Sequence, residues 1–326
     1  MTRPGLAVVT GAFGYTGRYI AQRLLDEGAT VRTLTRTPLA ASPFADRIER
    51  HPLDFENVGQ LTESLRGAHT LYNTYWVRFA RGRVNHDTAV HNSRNLVDTA
   101  VAAGVGRIVH ISITGASAES PLPYFRGKGL AEDYIRDSGL AYSIIRPTVI
   151  FGREDILINN IAWFLRRFPV FPVPGRGDYS LQPVFVDDVA RLAVESGNAG
   201  GNTTQDAVGP ETFTFQNLLQ EIRRTTGGRA RLLHLPPALA YGAAAMMGLV
   251  LRDVVLTRDE IDGLMAGHLV SADQPTGTTR LTDWMRQHRD TLGHRYASEL
   301  ARHYRRSRRS NRRLRLYRPL HRPAPP

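Results

Sequence analysis

A chain of 326 residues, 42% hydrophobic and 22% charged, is long enough for one large core or two joined ones and has the balance of a globular protein. It contains no cysteine, which excludes disulfides, thiolate catalysis and cysteine-based metal sites. The net charge of +12 belongs to one end: the ten arginines of residues 301–326, with no acid among them, account for all but two of it.

The N-terminus runs within a few residues into LAVVTG, without the charged, apolar and cleavage segments of a signal peptide. LAVVT (6–10) reads as a strand and GRYIAQRLLDEG (17–28) as a helix ending on Gly28. A second strand, TVRTLTR (30–36), and a third within RIERHPLD (47–54) follow, then a helix at LTESLRGA and a fourth strand, HTLYNT (69–74). A long helix over 87–105 leads to a fifth strand, RIVHISI (107–113). After a helix containing YFRGK comes a sixth, YSIIRPT (142–148). Strand–helix alternation of this kind predicts an α/β fold, a Rossmann-type doubly wound parallel sheet, over residues 1–150.

Past residue 150 the alternation becomes irregular and proline-rich, which suits a smaller C-terminal substrate lobe (151–301) partly interleaved with the sheet. VFVDDVARLAVES (184–196) reads as a strand entering a helix that Asp187 and Asp188 would cap, and Thr214 reads as the cap of the next helix. The longest apolar run, ALAYGAAAMMGLVL (238–251), is too short to span a bilayer. It reads as a buried helix, with a helix lying on a membrane surface as the alternative. Residues 302–326 form an Arg/Pro-rich tail, expected to be disordered. Its partners are either solvent or an anionic surface such as lipid, with nucleic acid the least favoured.

TGAFGYTGR follows the first strand and opens the first helix. Gly11, Gly14 and Gly17 there would let the backbone pass close to a pyrophosphate and aim the helix N-terminus at its charge. Phe13, Tyr15 and Thr16 in the same loop, and Thr74 at the end of the fourth strand, complete the candidate wall around the cofactor. An acidic residue at the end of the second strand would bond a ribose 2′-OH, but this chain has Arg36 there, and Arg18 follows Gly17. Two guanidinium groups suit a 2′-phosphate, which favours NADP(H) over NAD(H), unless both are simply surface arginines. Asp54 would accept from the adenine amino group or cap the next helix.

YFRGK (124–128) holds the only lysine in the chain. Its Tyr-x-x-x-Lys spacing puts Tyr124 and Lys128 on one helical face, one turn apart. A phenol with an ordinary pKa near 10 needs a nearby cation to exchange a proton at neutral pH, and a compact ammonium fits beneath it where a planar guanidinium would not. Together, TGAFGYTGR, HISITGAS, YFRGK and IIRPTVIFG resemble the short-chain dehydrogenase/reductase superfamily, extended or atypical branch, over roughly residues 5–220. Within that superfamily, the stretch from Arg146 to Gly175 and LQPVFVDDVA are most similar to the NADPH-binding accessory subunit of respiratory complex I and its bacterial relatives.

The resemblance implies that Tyr124 acts as acid/base, that Lys128 lowers its pKa and binds ribose, and that Ser112 or Thr114 steadies the substrate oxygen. It implies that Pro147 and Thr148 hold the carboxamide of the nicotinamide. The asparagine common on the long helix of the family is replaced by Ala89, with Asn92 and Asn95 nearby. Tyr75, Trp76, Phe79, Arg153 and Asn159 are candidate substrate contacts, the aromatic ones suiting an apolar substrate. His86, His91 and His110 show no metal-ligand spacing, and no metal is expected. Three functions compete: an NADP(H)-dependent oxidoreductase, a nucleotide-sugar epimerase or dehydratase, and a non-catalytic nucleotide-binding subunit or sensor on a membrane complex. The expected location is cytoplasmic or peripheral at a membrane.

Overall fold

The computed structural model describes residues 5–36, 43–79, 84–254 and 257–304. The first half runs β1 (Leu6–Thr10), α1 (Tyr15–Asp26), β2 (Thr30–Thr35), β3 (Glu49–Pro52), α2 (Val58–Leu65), β4 (Ala68–Asn73), α3 (His86–Ala102), β5 (Arg107–Ile111), α4 (Pro123–Asp137) and β6 (Ala141–Pro147). The second runs β7 (Ile150–Phe151), α5 (Leu157–Arg167), β8 (Val170–Pro174), β9 (Ser180–Leu181), β10 (Val184–Phe185), α6 (Val186–Gly197), β11 (Thr203–Ala207), β12 (Phe213–Thr214), α7 (Phe215–Thr226), β13 (Arg231–Leu235), α8 (Pro237–Leu251), α9 (Arg258–Met265), α10 (Leu281–Gln287) and α11 (Glu299–Tyr304).

Seven strands form one parallel sheet in the order β11-β6-β5-β4-β1-β2-β3. This is the expected doubly wound α/β architecture. The winding reverses between β1 and β4, so the ligand crevice of such a sheet opens at their C-terminal ends. The central strands β1, β4 and β5 are buried on both faces, and successive residues serve opposite layers. Val8, Ile108 and Ile144 pack with Leu61, Leu96 and Ile135 from α2, α3 and α4. Their neighbours Val9, Val109 and Ile145 pack with Ile20, Leu24, Val189 and Ala193 from α1 and α6. A third core, around Phe151, Ile161, Leu218, Ile222 and Trp284, belongs to the C-terminal lobe.

The differences from the sequence reading have local causes. Helix α1 starts two residues before Gly17, on Gly14 in extended conformation, and ends before Gly28, whose φ of 81° takes the chain out of the helix. The pair β8–β13 was not anticipated, because β8 carries Pro172 and Pro174; each strand pairs only with the other, which proline tolerates. Asp187 and Asp188 lie in the first turn of α6, but no side chain caps that helix. Asp187 instead accepts two bonds from Arg23 (2.7 and 2.6 Å), and Asp188 accepts from the amides of Thr278 and Thr279 (3.1 and 3.0 Å). Thr214 does cap α7, accepting from the Asn217 amide at 3.1 Å. At the basic end, residues 302–304 belong to α11, and the rest of the expected disordered tail lies outside the described residues.

Candidate functional site

The C-terminal ends of β1 and β4 are locked side by side. The Thr74 amide donates to Thr10 Oγ1 at 2.7 Å, and its hydroxyl donates to the Thr10 carbonyl at 2.6 Å. The glycine-rich turn leaves β1 at this point. Gly11 takes φ 68°, a left-handed conformation that glycine adopts without strain. At Gly17 a Cβ would fall 2.4 Å from the Gly11 carbonyl oxygen, so only glycine lets the helix pack this close to the strand. Helix α1 has no side-chain cap and no acid in its first turn, so its first amides and the positive end of its dipole suit an anion.

A cavity of about 900 Å³ lies in front of this turn. Gly11, Phe13, Gly14, Tyr15 and Thr16 form its floor, with Arg36, exposed at the end of β2, and Thr74 beside them. Ser112, Tyr124, Lys128, Pro147 and Thr148 line the same cavity, as do Tyr75, Trp76 and Phe79. Gly17, Arg18, Asp54, Thr114, Arg153 and Asn159 are not on the wall. Arg18 pairs with Glu154 at 3.2 Å, Asp54 closes its own turn by accepting from the Glu56 amide at 3.1 Å, and Arg153 is exposed. Asn159 donates to the Arg295 carbonyl (2.9 Å) and accepts from the Gly293 amide (3.1 Å), strapping α5 to the end of the lobe. The Thr114 hydroxyl is turned to the Arg146 carbonyl at 3.3 Å, whereas Ser112 Oγ is buried with no partner among the described residues. On α3, Ala89 is fully buried and Asn92 donates to the Tyr75 hydroxyl at 2.8 Å.

Helix α4 carries both members of the tyrosine–lysine pair, and an ion pair fixes its position against β6. Arg146 Nε donates to the fully buried Glu132 at 3.0 Å. Lys128 Nζ donates to the Ile111 carbonyl at 2.9 Å and sits 4.5 Å from the centre of the Trp76 ring. Burial pushes the Lys128 ammonium down to about 7, with Glu132 opposing. Burial pushes the Tyr124 phenol up to about 12; the cation that opposes this is Arg78, with Glu260 adding to the rise. Without a bound molecule the phenol is therefore fully protonated at neutral pH, and the guanidinium acting on it comes from the loop after β4, not from α4.

Sequence reasoning missed Arg78 and its partners. Arg78 donates to Glu260 of α9 at 2.8 Å and pairs with Glu299 of α11, so the lobe is tied to the sheet half through half-buried Arg78 and Glu260 and buried Glu299. One signal was readable: Thr257–Glu260 is a capping box, with both reciprocal bonds present (3.2 and 2.9 Å), and Glu260 serves the cap and Arg78 together. Asp155, in the polar stretch after β6, also lines the cavity. It accepts from the Leu157 and Ile158 amides in the first turn of α5 (3.0 and 2.6 Å), and burial lifts its carboxyl to about 6. His86 places its ring 5.6 Å from that of Tyr124, and burial lowers its pKa.

The buried Tyr15 hydroxyl, Trp76 Nε1, His86 Nδ1 and Ser112 Oγ have no hydrogen-bond partner among the described residues. Their residues all line the one cavity, beside a glycine cradle and a bare helix N-terminus. That donor and acceptor set fits a dinucleotide with a polar substrate group beside it.

Comparison with known proteins agrees. A family model described as NAD(P)H-binding matches residues 11–156. The chain is 25% identical over 285 residues to subunit 9 of the NADH dehydrogenase [ubiquinone] 1 alpha subcomplex of Arabidopsis thaliana mitochondria, covering 82% of this chain and 71% of that one. It is 26% identical over 252 residues to the ceramide reductase of Caulobacter vibrioides, covering 74% and 77%. In fold it is similar to the NADPH-dependent quinone oxidoreductase of Escherichia coli, solved with NADPH, at a TM-score of 0.71 and 24% identity over 86% of this chain and 99% of that one. Residues 11–156 therefore carry the match to an NAD(P)H-binding family, and over most of its length the chain is similar to NADH dehydrogenase subunits.

Proposed function

We propose that the protein is an NADPH-dependent reductase of a carbonyl group on an apolar substrate, with Tyr124 as proton donor. The observation that carries this reading is that Tyr124, Lys128 and the unpartnered Ser112 hydroxyl line one cavity together with the glycine-rich turn. The bound nicotinamide would supply the hydride. Tyr124 Oη, protonated at neutral pH, would donate its proton to the substrate oxygen, while Ser112 Oγ donates a hydrogen bond to the same oxygen. Lys128 Nζ, anchored on the Ile111 carbonyl, has donors left for ribose hydroxyls. Arg78 stabilises the phenolate as it forms, and Glu260 and Glu299 hold that guanidinium in place. Arg36 would take the 2′-phosphate; the Arg18–Glu154 pair leaves it as the guanidinium on the cavity wall at that end. An apolar substrate is supported by the far end of the cavity, where Phe164, Phe171, Leu218, Ala243, Met247 and Leu264 form the wall.

The test is NADPH oxidation by the full chain over a panel of apolar ketones and quinones. Tyr124→Phe is expected to lower turnover by roughly 10²- to 10⁴-fold and leave NADPH affinity unchanged. Equal turnover in the two proteins would refute the assignment. A second reading, a nucleotide-binding subunit of a membrane assembly, is supported by the NADH dehydrogenase subunits among its relatives. It predicts co-migration with a respiratory assembly on native gels that Tyr124→Phe leaves intact.

A further inference from the structure

Helix α8, PALAYGAAAMMGLVL, has no charged residue anywhere on its surface. Ala240, Ala243, Ala244 and Met247 line the cavity. Leu239, Met246, Leu249 and Val250 fall on another face and are 60%, 70%, 80% and 76% exposed. A helix that is apolar all round is normally buried on all sides, and this one is not. Its 15 residues make about 22 Å, short of the roughly 30 Å hydrocarbon core of a bilayer. No described helix is long and apolar enough to cross a membrane. An apolar face of this length fits a helix lying in the plane of a bilayer surface.

Helices of that kind usually carry their own basic residues, and here the basic charge is supplied from the end of the chain. Asp253, just past α8, accepts from the amides of Glu299 and Leu300 (both 2.9 Å) and from the Tyr296 hydroxyl (2.8 Å). Helix α11 therefore begins against the C-terminal end of α8. Beyond it the chain continues through residues 305–326, with nine arginines and no acid. An exposed apolar face and a polybasic segment in the same chain are the two signals that reversible membrane docking needs. Like charge opposes a second copy of this chain as the cover, and so arginine-rich a segment is poorly suited to cover the face itself. Val170, 42% exposed and on the cavity wall, brings the apolar end of the cavity to the surface on β8, which packs against α8. We propose that the α8 face docks on an anionic lipid bilayer, with residues 305–326 holding the headgroups and the cavity opening toward the acyl chains. The proposal does not depend on the reaction assigned above.

The experiment is flotation of the full chain with phosphatidylcholine vesicles, with and without about one-third phosphatidylserine. The wild type is expected to float with the anionic vesicles and to be released by salt. The double variant Leu249→Glu/Val250→Glu, both outside the cavity wall, is expected to lose at least about tenfold in vesicle affinity. Its thermal melt and NADPH affinity should match the wild type, which separates loss of docking from loss of the fold or cofactor site. A chain ending at Tyr304 is expected to lose the salt-sensitive part of binding and keep the rest. Failure of the wild type to float, or equal binding by the double variant, would overturn the proposal. So would sedimentation showing a dimer without vesicles that the double variant converts to monomer.

Discussion

The sheet half and the C-terminal lobe spend apolar residues in different ways. In the sheet half, strands such as β5 and β6 place consecutive apolar residues into two separate cores, and the large exposed hydrophobics among its described residues are the scattered Val58 and Val101. In the lobe, Val170, Leu233, Leu239, Tyr241, Met246, Leu249, Val250 and Met265 are all exposed, and most belong to α8 or the strands before it. Folding explains the first arrangement, because a central parallel strand has no solvent face. It does not explain the second, since Leu239, Met246, Leu249 and Val250 stay 60–80% exposed in the folded state. The apolar surplus of the lobe therefore points outward to a partner or inward to a ligand.

The comparison breaks if stability responds alike in both regions. Ile144→Ala, in a fully buried position on β6, is expected to cost about 2–5 kcal/mol in urea unfolding. Leu249→Ala, on the exposed face of α8, should stay within about 0.5 kcal/mol. A cost at Leu249 approaching that at Ile144 would mean the face is covered in the folded protein, and the contrast would be lost.

The seam between the regions is charged, and the next effect lies there. Arg78 of the sheet half and Glu260 of the lobe are 32% and 29% exposed, so solvent screens their pair in part. Glu260→Gln is expected to cost about 1–2 kcal/mol, below the cost of breaking a fully buried pair. It also removes a negative charge that raises the Tyr124 phenol, so the alkaline limb of the turnover profile should move to lower pH. A stability loss with an unmoved limb would reduce the seam to a clasp with no electrostatic reach to Tyr124.

Lys128 gives a smaller effect, read from pH dependence. Its folded-state pKa, about 7, lies below its ordinary 10.5. Between those values the unfolded chain binds the extra proton, so the lysine's contribution makes the protein more stable as pH rises through that window. Lys128→Met removes this contribution. The melting temperature of the wild type relative to the variant should therefore climb between pH 7 and pH 10, measured without nucleotide. Parallel curves would mean the ammonium is better solvated than its contacts with Ile111 and Trp76 imply.

The same division governs what could be read in the sequence. Gly11, Gly14 and Gly17, and the strands that alternate with helices, are legible because local backbone and packing rules dictate them. Tyr124 and Lys128 are legible through a spacing of one helical turn. Arg78, Glu260 and Glu299 are not, because their meaning comes from three segments far apart in sequence meeting at one seam. The capping box at Thr257 marked a helix start but said nothing of what else Glu260 would bind. The exposure of α8 was likewise beyond periodicity, since a helix apolar on every side has no polar face to show which way it turns. Arg18 and Arg36 looked equivalent until Glu154, in the polar stretch after β6, was found paired with the first of them.

That last distinction sets the smallest prediction. Arg36 is exposed at the end of β2 and lines the cavity, while Arg18 is tied to Glu154. If a single solvent-screened guanidinium meets the 2′-phosphate, its loss should weaken NADPH binding by about tenfold, not by the larger factor of a buried clamp. Arg36→Asp would in addition repel that phosphate and offer an acceptor to a free 2′-hydroxyl, so the ratio of NADPH to NADH affinity should fall further while NADH binding holds or improves. Titration of both nucleotides by their fluorescence would measure the ratio. An unchanged ratio would move the 2′-phosphate away from the end of β2, and with it the adenosine half of the cofactor. A collapse in affinity for both nucleotides would mean that Arg36 supports the turn itself.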